Sequence, residues 1–133
     1  MKFRLITQEH TAGCGIACIA SILNIDYNEA LSFFNKEYVS RRGYYCGEMV
    51  KVLNKNGLNY RYSKANSKTK RLLSKPGTIA FIGHSKNYPI GHYLLKTDKG
   101  WMNPWINYPN VNPAKAGFQK KLPGKVKWII FQD

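Results

Sequence analysis

The chain has 133 residues and a mass of 15.3 kDa, enough for one hydrophobic core and too little for two ordinary ones. Its 44% hydrophobic and 14% aromatic residues exclude a disordered chain, and no apolar run approaches the ~20 residues of a membrane-spanning helix. Lys and Arg number 21 against 7 Asp and Glu, a formal charge of +14 that points to an anionic partner: an acidic protein, a nucleic acid or a membrane surface.

The elements follow in chain order. Met1–Gln8 carries two basic residues but lacks the apolar stretch and cleavage site of a secretory signal. Residues 14–24 are apolar almost all round, as a short helix buried on most sides would be. Asp26, three residues before Glu29, opens an amphipathic helix with Leu31, Phe34 and Tyr38 on one face. Gly43–Gly47 is a turn, residues 48–56 a third helix closed by Gly57, and residues 58–63 alternate like a strand. Residues 64–77 carry Lys64, Lys68, Lys70, Arg71 and Lys75 and hold a short helix before Pro76. Strands are predicted over residues 78–83, 91–96, 101–105 and 126–132, with Thr97-Asp98-Lys99-Gly100 as a hairpin turn. Helices first and antiparallel strands after predict an α+β fold, the helices packed on one face of a C-terminal sheet. No repeat, low-complexity segment or linker divides the chain, so residues 1–133 read as a single domain.

The acids Glu9, Asp26, Glu29, Glu37, Glu48, Asp98 and Asp133 stand apart from one another, which leaves carboxylate-pair chemistries without parts. Cys14 is the better starting point. It opens the buried helix between Gly13 and Gly15, where small neighbours would let a substrate backbone approach and the helix N-terminus would favour a thiolate. His92 is the candidate general base. In the predicted hairpin, Lys96 pairs with Trp101, so His92 and Asn103 become diagonal neighbours on one face and the Asn carbonyl can hold the imidazole in one tautomer. Gln8 offers a neutral N–H donor for an oxyanion.

Other residues have plainer readings. Cys18 and Cys46 read as small buried hydrophobes, and His84 as a solvated loop residue. His10, Cys14, Cys18 and Cys46 add up to a zinc set, but it lacks a CxxC knuckle and leaves His92 and Asn103 without a role. No cofactor and no metal are therefore expected. Three cysteines, an odd and small number, do not make a disulfide scaffold, and the compartment expected is reducing: the cytoplasm, or that of a target cell.

Taken together, Gln8-x5-Cys14-Gly15-x-Ala17-Cys18, the later Gly91-His92-Tyr93-Leu94-Leu95 and Asn103-Pro104 after a hairpin resemble the papain-like cysteine peptidases. The nearest subgroup is the one that trims double-glycine leaders from bacteriocins. The resemblance implies a papain-like fold whose central helix bears Cys14 as nucleophile, with His92 as base, Asn103 as orienter and Gln8 in the oxyanion hole. The chain departs from that subgroup at Asn103, where Asp is usual, and at Gly13, where an acid is usual. Subgroup members are also commonly fused to a membrane transporter with an ATPase, and these 133 residues hold neither. The expected function is hydrolysis of a peptide or isopeptide bond through an acyl-enzyme, on a peptide or acidic protein substrate. The charge keeps a second expectation in play: a basic toxin or effector acting on nucleic acid through Lys68, Lys70 and Arg71 on the same scaffold.

Overall fold

The structure is a computed structural model and describes residues 3–133. Cys14–Leu23 forms helix α1, buried on every side as its uniformly apolar sequence requires. Asn24 ends it in the left-handed region at φ 57°, a conformation that asparagine tolerates better than most residues. The amphipathic helix expected from Asp26 through Tyr38 breaks in two. Helix α2 spans only Tyr27–Leu31, with Asp26 accepting the Glu29 N–H as its cap, and Lys36–Tyr38 forms a separate 3-10 turn. The break has a local cause: Ser32 Oγ turns back to the Glu29 carbonyl, and Asn35 caps a new turn by accepting the Glu37 N–H. Leu31, Phe34 and Tyr38 still pack against the main core, so the apolar face survives without a continuous helix.

Helix α3, Cys46–Lys55, begins two residues earlier than expected because the Glu48 carboxylate reaches back to the Tyr45 N–H at 2.8 Å. The strands are β1 Tyr60–Lys64, β2 Ile79–Ile82, β3 His92–Thr97, β4 Gly100–Asn103, β5 Gly117–Gln119 and β6 Val126–Gln132. A second 3-10 turn, Lys70–Ser74, stands where a short helix was expected. β4 stops at Asn103 rather than at 105, since Pro104 has no N–H to give a neighbour. β5 was not foreseen: three half-buried residues show no alternation to read.

The six strands form one antiparallel sheet in the order β1-β6-β2-β3-β4-β5. Its pleat separates two sets of side chains. Ile79, Tyr93, Leu95, Met102 and Ile130 face the helices, where α1 lies on β3 and α3 lies on β1 and β6. Ala80, Ile82, Leu94 and Trp101 face the other way, under Tyr88 and the partly buried Leu73, Tyr108 and Leu122. The architecture is thus α+β with the helices on one face, and loops rather than water cover most of the other. No helix among the described residues is long and apolar enough to cross a membrane.

Candidate active site

Helix α1 presents Cys14 as its first residue, and strand β3 presents His92 as its first residue. The two elements pack together, so both side chains come to the same end of the sheet. Cys14 Sγ accepts a hydrogen bond from the Tyr93 N–H at 3.4 Å, which ties the thiol to the residue next to His92. Among the described residues no hydrogen bond joins Cys14 to His92 itself. Burial pushes the Cys14 thiol up to about 11, even though the N–H groups of Tyr93, Gly15 and Cys14 favour the anion. Desolvation thus works against the thiolate that the helix N-terminus would favour.

His92 is 3% exposed, and burial pulls its imidazole down to about 4 against the raising effect of Asn103. Its Nε2 lies 2.7 Å from Asn103 Oδ1. That oxygen also accepts the Trp105 N–H at 3.0 Å, so it is an acceptor and His92 Nε2 is the donor. The tautomer is thereby assigned, and Nδ1 keeps its lone pair. The observed pairing of Lys96 with Trp101 is the predicted register, and it makes His92 and Asn103 the diagonal neighbours expected. Asn103-Pro104 also ends the strand in a turn, because the Trp105 N–H closes an Asx turn on the same oxygen.

Gln8 is buried near the start of α1, but its Nε2 donates to the His10 and Thr11 carbonyls at 2.9 and 3.1 Å, and its Oε1 has no partner. Both amide hydrogens are spent on main chain, so Gln8 does not stand as a free oxyanion donor. The flanking glycines also differ from expectation. A side chain at Gly13 would meet the Tyr27 hydroxyl, and one at Gly15 would meet Met49 Sδ at 2.9 Å. Their small size admits neighbours of the fold rather than a substrate. Tyr27, held by His10 Nδ1 at 3.0 Å, fills the space beside residue 13 and accounts for a glycine there.

A cleft of about 630 Å³ opens beside Cys14, lined chiefly by Tyr44, Tyr45, Tyr62, Phe81, Tyr93 and Trp128. Arg41, Arg42 and His84 supply its polar margin, and no Asp or Glu lines it. Arg42 is engaged: it lies over Tyr38 and Tyr45 and pairs with Glu48 at 2.9 Å. Arg41 and His84 are exposed. Cys46 also lines the cleft, with Sγ 3.6 Å from the Tyr93 hydroxyl, whereas Cys18 is wholly buried inside α1. All three cysteines are unpaired. Among the described residues no three His, Cys, Asp or Glu side chains gather as a metal site. Lys68, Lys70 and Arg71 are exposed around the second 3-10 turn, away from the lining of this cleft.

Two residues of the site were missed in the sequence. Tyr88 stacks on the His92 ring at 4.1 Å and 11°, and Gln119 accepts from Asn103 Nδ2 at 2.7 Å. One lies in a loop and the other in the short β5, so neither carries a periodic signal.

Comparison with known proteins relates the chain as a whole to a family and a fold. A sequence model described as the Peptidase C39 family matches residues 2–121. Among solved structures, the peptidase domain of Streptococcus ComA, a bi-functional ABC transporter involved in a quorum-sensing pathway, is similar at 19% identity and TM-score 0.60, covering 98% of this chain and 97% of that one. The peptidase domain of Streptococcus mutans ComA is similar at 20% identity and TM-score 0.60, covering 98% and 99%. The same domain in complex with a small-molecule inhibitor has 20% identity and TM-score 0.58, again covering 98% and 99%. No curated protein matches.

Proposed function

The chain belongs to the peptidase C39 family and is a cysteine peptidase, and from that premise we propose that it cleaves a peptide bond by attack of Cys14, with His92 as base and Asn103 as orienter. The observation that carries the reading is the buried His92–Asn103 pair, which leaves Nδ1 as the ring nitrogen able to take a proton at the strand end that meets Cys14. Burial disfavours the charged form of each group, so the reaction starts from the neutral thiol and imidazole. Substrate binding excludes further water and brings the carbonyl carbon to Sγ; the thiol proton passes to Nδ1 as the S–C bond forms. The imidazolium is stabilised by its Nε2–H bond to Asn103, and it then delivers the proton to the leaving amine. Water, deprotonated by the same nitrogen, hydrolyses the thioester and restores the thiol.

The main-chain N–H groups of Cys14 and Gly15, in the first turn of α1 where amides lack an intrahelical acceptor, supply the donors for the oxyanion. Gln8 joins them when one of its bonds to His10 or Thr11 is exchanged for the developing charge. The aromatic cleft takes apolar side chains of the peptide, and Arg41 at its margin favours acidic ones. We read residues 1–133 as one peptidase domain working where thiols stay reduced, such as the cytoplasm. Family membership favours peptide over the nucleic-acid target that charge alone suggested.

The test is a panel of peptides, neutral and acidic, some with two glycines before the scissile bond, incubated with the wild type and with Cys14→Ala. Turnover confined to the wild type, with an acylated Cys14 caught by mass spectrometry after acid quench, supports the reading. Turnover by Cys14→Ala overturns it.

A further inference from the structure

Asn103 is buried, and every hydrogen-bonding position of its amide is occupied. Oδ1 accepts from His92 and from Trp105 N–H. Nδ2 donates to the Tyr88 hydroxyl at 3.1 Å and to Gln119 Oε1 at 2.7 Å. Gln119 is itself oriented, because its Nε2 donates to the Lys121 carbonyl at 2.8 Å. Strand register explains its reach. β5 pairs Gln119 with Trp101 and Gly117 with Asn103, so Gln119 and Asn103 are diagonal neighbours on the face that also carries His92.

We infer that Gln119 and Tyr88 are positioning residues for the reaction: they accept both hydrogens of the Asn103 amide, so that its oxygen alone can face His92. This rests on the reading of Asn103 as orienter. Turning the amide over would set Oδ1 against Gln119 Oε1 and Nδ2 against the Trp105 N–H, exchanging attractive pairs for repulsive ones in a buried site. Tyr88 holds both partners at once, with its ring against the imidazole and its hydroxyl on the amide. The Tyr88 loop is pinned in turn, since Ser85 Oγ accepts the Tyr88 N–H at 3.0 Å and the Ser85 N–H donates to the Tyr88 carbonyl. The same geometry accounts for an amide at position 103. A carboxylate there would place a second acceptor against Gln119 Oε1, where Asn103 places a donor.

The experiment compares Gln119→Leu, Gln119→Glu and Asn103→Ala with the wild type, by steady-state kinetics on a cleaved peptide and by nitrogen-15 NMR of the His92 ring. Gln119→Leu removes the acceptor and should lower kcat about tenfold at unchanged KM, the effect of one net hydrogen bond. Its His92 signal should change from a single Nε2–H tautomer to a mixture. Gln119→Glu keeps the acceptor toward Asn103 but sets a second acceptor against the Lys121 carbonyl, so its kcat should lie between those of Gln119→Leu and the wild type, with the Nε2–H tautomer still the main one. A Gln119→Leu chain with wild-type kcat and an unmixed tautomer would overturn the inference. If Asn103→Ala leaves kcat untouched, the triad reading fails instead, and the tautomer readout still decides whether Gln119 orients the amide.

Discussion

A buried neutral histidine makes the folded chain sensitive to acid, and His92 allows the size of the effect to be worked out. Its native pKa of about 4 lies below the ordinary value of 6.5 because burial penalises the imidazolium. Between those two values the unfolded chain binds a proton that the native chain refuses. Native stability from this group is therefore fully present above 6.5 and is lost as pH falls toward 4. At ~1.4 kcal/mol per unit the whole window is worth about 3 kcal/mol, of which about 2 kcal/mol is lost between pH 7 and about pH 4.5. Glu48, held below the usual carboxylate range by Arg42, loses stabilisation in the same direction, but at the acid end of this range and below it. His92→Gln separates the two, because it removes the imidazole and leaves the Glu48 pair in place. Urea unfolding of both proteins at pH 7 and about pH 4.5 should show the wild type losing about 2 kcal/mol more than the variant. Parallel losses in the two proteins would refute a buried, neutral His92.

Iodoacetamide should modify Cys14 before Cys46 although burial raises both thiols, because only Cys14 has His92 to take its proton, and should leave the wholly buried Cys18 for last; His92→Ala should reduce the Cys14 rate to that of Cys46, and mass mapping against time reads both. Asn103→Ala should cut kcat about a hundredfold and also cost about 2–4 kcal/mol of stability, because it strands Tyr88, Gln119 and the Trp105 N–H in a buried site; kinetics and denaturant melts measure the two effects separately. Gly13→Ala should destabilise by about 2 kcal/mol through its clash with the Tyr27 hydroxyl, and Tyr27→Phe in the same chain should recover most of that loss; additive losses in the double mutant would contradict the contact. Arg41→Glu should raise KM for an acidic peptide several-fold while leaving kcat alone, an effect that added salt diminishes.

What the sequence determined by itself was everything that local periodicity and pairing rules encode. The uniformly apolar run after Cys14 could only be an enclosed helix, and the alternating segments around the Thr97–Gly100 turn could pair in only one register with their apolar faces inward. That register alone sets His92 beside Asn103. Tertiary structure decided what no window of neighbouring residues contains. Packing across 14 residues put the Tyr27 hydroxyl beside Gly13, and packing between helices closed Met49 over Gly15. Burial, a property of the whole fold, works against the charged forms of both Cys14 and His92, and at Cys14 it opposes the helix N-terminus. Main-chain carbonyls of the loop before α1 claimed the Gln8 amide. A loop and a three-residue strand, too short for any pattern, delivered Tyr88 and Gln119 to Asn103, because hydrogen bonds between side chains distant in sequence depend only on where the backbone brings them.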